Sequence, residues 1–132
     1  MTSSTTFSDK SILYVEDEII VAIEFAQVLE EIGFGEVLVA HNLRAAENAV
    51  RDREVDFALL DVNLGNGERS APIGLALAQA GTRVIFTSGY NKSELSDDLQ
   101  RFEFLEKPIA LRELRALFAN ISAPPGATSA AE

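Results

Sequence analysis

Hydrophobic and polar positions fall into two alternating textures along this chain. Five short runs are almost continuously apolar and rich in Val, Ile, Leu or Phe: "SILYVE" at 11–16, "EVLVA" at 36–40, "DFALLD" at 56–61, "RVIFTS" at 83–88 and the weaker "FEFLE" at 102–106. Strands buried on both faces read this way. Between the runs the period lengthens. Ile19, Ala22, Ile23, Ala26 and Leu29 recur at helical spacing, and Leu43, Ala46 and Val50 do so more briefly. These positions predict core-facing helix stripes. Gly33 stands where the first helix should stop. A third helix is expected over 68–80, closed by Gly81, and a last one over 109–120, with Leu111, Leu114, Phe118 and Ile121 on one face. "NKSELSDDLQR", at 91–101, is polar nearly all round and makes a poor helix by pattern.

Strand and helix alternating five times imply right-handed crossovers and a doubly wound α/β fold, with a five-stranded parallel sheet covered on both faces. No internal repeat interrupts the series. The ends differ in texture: residues 1–9 are Ser/Thr-rich, and 122–132 combine Pro, Gly, Ala and Ser without apolar period. Both are expected to be flexible tails around one folded unit at 10–121. With 132 residues, 47% of them apolar, one core is affordable and a second domain is not.

Charge narrows the function. Eleven Lys and Arg against 21 Asp and Glu leave a net charge of −10, which opposes phosphate backbones and anionic lipid surfaces alike. Neither nucleic acid nor membrane is an expected partner. There are no cysteines, so disulfides, thiolate metal sites and Cys nucleophiles are excluded. No apolar stretch approaches the roughly 18 residues that span a bilayer, and "MTSSTTFSDK" lacks the basic and hydrophobic regions of a signal peptide. A cytoplasmic protein is expected.

In open parallel sheets, sites form outside the carboxyl ends of the strands. The first run ends in Glu16, followed by Asp17 and Glu18; the third ends in Asp61; the fourth in Thr87 and Ser88; and Lys107 with Pro108 follows the fifth. Three carboxylates at one edge repel one another unless a cation holds them. Mg²⁺ suits such a set, because it takes one or two carboxylates plus carbonyl oxygen, water and substrate phosphate. A backbone carbonyl near Asn63 and a phosphoryl group would complete that shell. The sole imidazole, His41, has no ligand-spaced partner, which disfavours transition metals.

Each feature taken alone has a plainer explanation. Asp17 and Glu18 could cap a helix, Asp61 could serve a turn, Ser88 could cap the next helix and Lys107 could be a solvated charge. None of these explains why all four features share one sheet edge.

The same residues, in the same order, resemble the receiver domain of bacterial two-component response regulators, over about 10–120. The similarity rests on the acidic pair in "VEDE", the aspartate in "LLDVN", the hydroxyl and small residue in "TSGY", and the Lys-Pro of "EKP". It implies a flavodoxin-like (βα)5 fold with strand order 2-1-3-4-5. It also implies that Asp61 is the phosphoacceptor and that Glu16 and Asp17 form the acidic pocket, with Asp17 the more direct Mg²⁺ ligand. Asn63 would offer its backbone carbonyl to the same ion. Ser88 takes the hydroxyl position, with Gly89 as the small residue after it and Thr87 as the competing choice. Lys107 would bind the phosphoryl group before a cis Pro108, and Phe104 takes the place of the switch aromatic. Tyr90 would stand beside the phosphoryl group and hinder hydrolytic water.

Gly65 occupies a place where many receivers have proline. Together with "FTSGY", this resembles a subset of receivers, often standing alone, that work with HWE-type histidine kinases. The resemblance implies a phosphoacceptor that is not an enzyme and loses its phosphate slowly by itself. Its expected partners are a histidine kinase or histidine phosphotransfer protein and a downstream protein target met through the fourth helix, fifth strand and fifth helix. Phe102 and Leu99 are the candidate apolar anchors, and the chain is expected to be a monomer or weak dimer. Two alternatives remain open at this point. One is a Mg²⁺-dependent phosphohydrolase working through an aspartyl-phosphate, although Asn63 stands where such enzymes place their acid. The other is a degenerate receiver that only binds partners.

Overall fold

Residues 6–90 and 95–122 are described by the computed structural model. The five apolar runs form five strands, each within a residue of the expected bounds: β1 (Ser11–Val15), β2 (Glu36–Ala40), β3 (Phe57–Asp61), β4 (Arg83–Ser88) and β5 (Glu103–Glu106). All neighbouring strands are parallel, in the order β2-β1-β3-β4-β5. The helices between them are α1 (Ile19–Ile32), α2 (Leu43–Val50), α3 (Ala71–Gln79), α4 (Asp97–Gln100) and α5 (Leu111–Ser122). This is the flavodoxin-like α/β arrangement.

Strand alternation sorts the core into two halves. Ile12 and Tyr14 of β1, Leu59 of β3 and Ile85 of β4 face α1 and α5, where Ala22, Phe25, Leu29, Leu114 and Phe118 cover them. Leu13, Val15, Leu60 and Phe86 face the other way and meet Ala46 of α2, Leu77 of α3 and Leu99 of α4.

Several sequence expectations fail in instructive ways. In α1 the buried stripe is Ala22, Phe25, Val28 and Leu29, while Ile19 and Ile23, expected inside, are 51% and 62% exposed; Ile20 is 76% exposed. The first turns of α1 are apolar all round, so spacing alone did not distinguish the buried face. Leu111 also lies outside, at 41%, whereas Leu114 and Phe118 are fully covered.

The proposed N-terminal tail also contributes to the core. Phe7 packs against Phe34, Phe57 and Phe118, with ring centroids 4.7, 5.6 and 5.9 Å away. Its carbonyl accepts from the Lys10 and Gly35 amides. Gly35 is needed there, because a Cβ would fall 2.2 Å from the Ser8 carbonyl oxygen. Residues 1–5 and 123–132 of the expected tails lie outside the described set, as do 91–94 of the weak fourth helix, of which Asp97–Gln100 forms one short turn.

Candidate functional site

Strand register assembles the site. Val15 lies opposite Leu60, so Glu16 follows beside Asp61; Asp61 lies opposite Thr87; and Ser88 lies opposite Glu106, the residue before Lys107. One oxygen from each of Glu16, Asp17 and Asp61 lies within 4.8 Å of the others. Glu18 holds the N-cap position of α1, but its side chain makes no capping bond, so helix capping does not account for this acidic run.

Lys107 joins the buried acids. Its Nζ donates to Oε1 and Oε2 of Glu16 at 3.0 and 3.2 Å and to Oδ2 of Asp61 at 2.8 Å. The other oxygen of Asp61, Oδ1, accepts from the Asn63 amide at 3.3 Å. Burial raises the pKa of Asp61 and of Glu16 above the ordinary carboxylate range, and the bonds from Lys107 only partly offset this. Burial also works against the Lys107 ammonium, but its two carboxylate partners outweigh that and raise its pKa. Two acids thus share one cation and still hold their protons more tightly than free carboxylates do. An all-oxygen set of this size suits a hard divalent ion, with Glu16, Asp17 and Asp61 as its protein ligands.

The loop after β3 shapes the open side. The Ser70 amide donates to the Val62 carbonyl and the Leu64 amide to the Glu68 carbonyl, closing a small hairpin whose tip, Gly65 to Gly67, has positive φ throughout. The hairpin uses Glu68 and Arg69, so α3 begins at Ala71 and not at the expected residue 68. Gly65 has φ +77°, and a Cβ there would lie 3.1 Å from Oδ2 of Asp17. Proline, with φ near −65°, cannot adopt that conformation.

Ser88 and Thr87 point to opposite faces of the sheet. Ser88 is buried on the side of Phe86, which Phe104 neighbours in register, and its Oγ accepts from the Tyr90 amide at 3.0 Å. Thr87 lines a cleft with Tyr14 on the α1 side. Glu16, Asp17, Asp61 and Lys107 are therefore brought together, whereas Ser88 and Phe104 stand beside them without a direct bond to Asp61. Gly89 continues the chain past Ser88, the Tyr90 ring is largely exposed, and the Lys107–Pro108 peptide is cis.

Leu99 and Phe102, expected as exposed anchors, are instead packed. Leu99 is 5% exposed, and Phe102 sits edge-on to Phe86 with the Arg101 guanidinium 4.8 Å from its ring centre. The sequence reading missed Tyr14. It is fully buried, and its hydroxyl has no hydrogen-bond partner among the described residues. Burial, then the charges of Glu16, Asp61 and Glu18, push its pKa far up. The available signal was a phenol two residues before Glu16, hence on the same strand face.

Among the described residues, no helix is long and apolar enough to cross a membrane. Comparison with curated proteins gives no match. Solved structures do match. SdrG from Sphingomonas melonis Fr1 is 28% identical, with a TM-score of 0.71 over 93% of this chain and 100% of SdrG. The BeF3-activated conformation of SdrG, from Pseudomonas melonis Fr1, is 29% identical at TM-score 0.71, covering 92% and 100%. A CheY-like receiver domain from Methylobacillus flagellatus is 28% identical at TM-score 0.65, covering 85% and 98%. The family profile described as the response regulator receiver domain matches residues 12–119, the same span that carries the sheet and its acidic edge, and the chain belongs to that family.

Proposed function

We propose that this protein is a phosphoacceptor in a two-component phosphorelay, with Asp61 taking the phosphoryl group from a phosphohistidine. The observation that carries the reading is Lys107 held between Glu16 and Asp61 at the carboxyl edge of the sheet. Asp61 Oδ2 and Lys107 Nζ lie at hydrogen-bond distance, 2.8 Å, which supports a carboxylate nucleophile beside a cation for phosphoryl oxygens. The full-length similarity to SdrG, a protein with a BeF3-activated conformation, supports the same reading.

In the transfer, an Asp61 oxygen attacks phosphorus in line, the P–N bond to the partner's histidine breaks, and the imidazole leaves with the electron pair. Lys107 exchanges its bond to Asp61 Oδ2 for the phosphoryl oxygens. The Asn63 amide holds the carboxylate plane through Oδ1. Mg²⁺ bound by Glu16, Asp17, Asp61 and the Asn63 carbonyl would neutralise charge on the transferred oxygens.

Ser88 turns from the Tyr90 amide toward the new phosphoryl group, and Phe104 moves into the space released on that face. The change is a local charge event read at the α4-β5-α5 surface by a protein partner. The donor is a histidine kinase or a histidine phosphotransfer protein. Asp61 is the phosphorylation site, because it stands at the end of β3 between the acidic pair and Lys107.

The test is labelling with radioactive acetyl phosphate and Mg²⁺. Wild type should take a hydroxylamine-sensitive label that Asp61→Asn abolishes while keeping its circular dichroism spectrum. Full labelling of Asp61→Asn would overturn the assignment.

A further inference from the structure

Among the described residues, a mostly apolar cavity lies beside the acidic cluster. It holds about 400 Å³ and opens between the first turns of α1 and the β5–α5 connection, on the sheet face that carries Tyr14. Val21, Phe25 and Ile109 supply apolar walls, and Glu18 and Glu24 stand at the side of α1. Glu16, Thr87 and Lys107 wall it toward the phosphoacceptor, whereas Asp17 and Asp61 take no part. Its volume lies within the roughly 300–1,000 Å³ of small-molecule sites.

Two further observations give the cavity a chemical preference. Tyr14 lines it, and the buried Tyr14 hydroxyl has no partner among the described residues, an arrangement that costs free energy until some polar atom meets it. The charge is also unbalanced. Lys107 is occupied by Glu16 and Asp61, and neither Glu18 nor Glu24 forms an ion pair with a described residue. Phe25 and the Tyr14 ring lie stacked with centroids 6.1 Å apart, so one part of the wall is aromatic.

We propose that this cavity binds a small organic cation on an apolar, ring-sized body. Its charged head lies at the Glu18 and Glu24 side, its body lies against Val21, Phe25 and Ile109, and a polar tip meets the Tyr14 hydroxyl. An inorganic cation would leave the apolar walls dry and unfilled. An anion would meet carboxylates. A purely apolar ligand would leave Tyr14 and both glutamates as they are. The site is separate from the phosphoacceptor but shares two of its side chains, Glu16 and Lys107, so occupancy of one is felt at the other.

The experiment is backbone amide NMR on the full chain, titrated with tyramine as the complete probe. Tyrosol serves as the same body without charge, and 2-phenylethylamine as the same body without the polar tip. Tyramine should give saturable shifts centred on Tyr14, Phe25 and Ile109. Tyrosol should bind about fivefold more weakly, the scale of one partly exposed ion pair. The surface variant Glu24→Gln should weaken tyramine but not tyrosol, and Tyr14→Phe should erase the difference between tyramine and 2-phenylethylamine. Nα-acetyl-arginine amide separates the sources of such a cation: its tighter binding assigns the cavity to a basic side chain of a docked protein, and tighter tyramine assigns it to a free amine. Equal binding of tyrosol and tyramine overturns the proposal, as do shifts centred on Ile19, Ile20 and Ile23 or no saturation by 10 mM on the scale of weak ligands.

Discussion

Removing the cation from a shared carboxylate pair is the most quantitative test of the site. In Lys107→Met the apolar stem is kept and the ammonium is lost, so Glu16 and Asp61 remain buried with no counter-charge. At 2.8 Å and an effective dielectric constant of about 20, one unit pair is worth about 6 kcal/mol gross. Desolvation of both partners cancels much of that. What the substitution exposes is the cost of an uncompensated buried charge, about 3–5 kcal/mol when one partner of a buried pair is removed. The lysine side chain is 23% exposed, which places the expectation near the lower figure, about 3 kcal/mol. For a domain of this size that corresponds to a fall in Tm of about 10 °C.

The pH dependence has a definite sign. Both acids have native pKa values raised by burial, so the native state binds more protons than the unfolded chain in the range just above the ordinary carboxylate pKa. Stability there falls as pH rises and recovers as pH falls toward 5. Lys107→Met should steepen this slope, because only the Glu18 and Asn63 amides, donating to Glu16 and Asp61, then oppose the burial effect. Adding Asp61→Asn should return at least half of the lost stability at pH 7.5 by removing one of the two charges. Urea unfolding followed by circular dichroism, in EDTA at pH 5 and 7.5, measures all four terms of the cycle. Wild-type stability in Lys107→Met, or no recovery on adding Asp61→Asn, would refute the electrostatic account of the site.

Three other expectations follow from particular contacts. Ser88→Ala should blunt the beryllofluoride-induced amide shifts on β5 and α4, whereas Thr87→Ala should leave them; the reverse pattern would move the hydroxyl register by one residue. Gly65→Ala should cost about 1–2 kcal/mol for its positive φ and weaken Mg²⁺ binding by crowding Asp17 Oδ2; calorimetric titration giving unchanged Mg²⁺ affinity would contradict the second effect. Phe7→Ala should cost about 3 kcal/mol, as a buried aromatic does, although sequence texture places it in a tail; a change under about 0.5 kcal/mol, the scale of ordinary surface substitutions, would remove Phe7 from the core.

The strands and their order of appearance were legible in the sequence because parallel strands covered on both faces leave nearly unbroken apolar runs. The chemistry was legible for a related reason. A charged side chain at the end of such a run, as at Glu16 and Asp61, cannot be explained by the core it terminates. Alternation within β4 likewise requires Ser88 and Thr87 to point to opposite faces.

What the sequence left open depends on partners distant along the chain. Ile19 and Ile23 have the spacing of core residues, yet the direction from which the sheet approaches α1 selects Ala22, Phe25, Val28 and Leu29 instead. Phe7 reads as a tail residue until Phe34, Phe57 and Phe118 converge on it from three other segments. The hairpin at 62–70 and the late start of α3 depend on backbone bonds between residues with no periodic signature. That the Tyr14 hydroxyl meets no partner among the described residues is likewise a property of the assembled sheet. Hydrophobic period reports that a segment has a face to bury, while the choice of face is made by whatever packs against it, and only tertiary structure contains that.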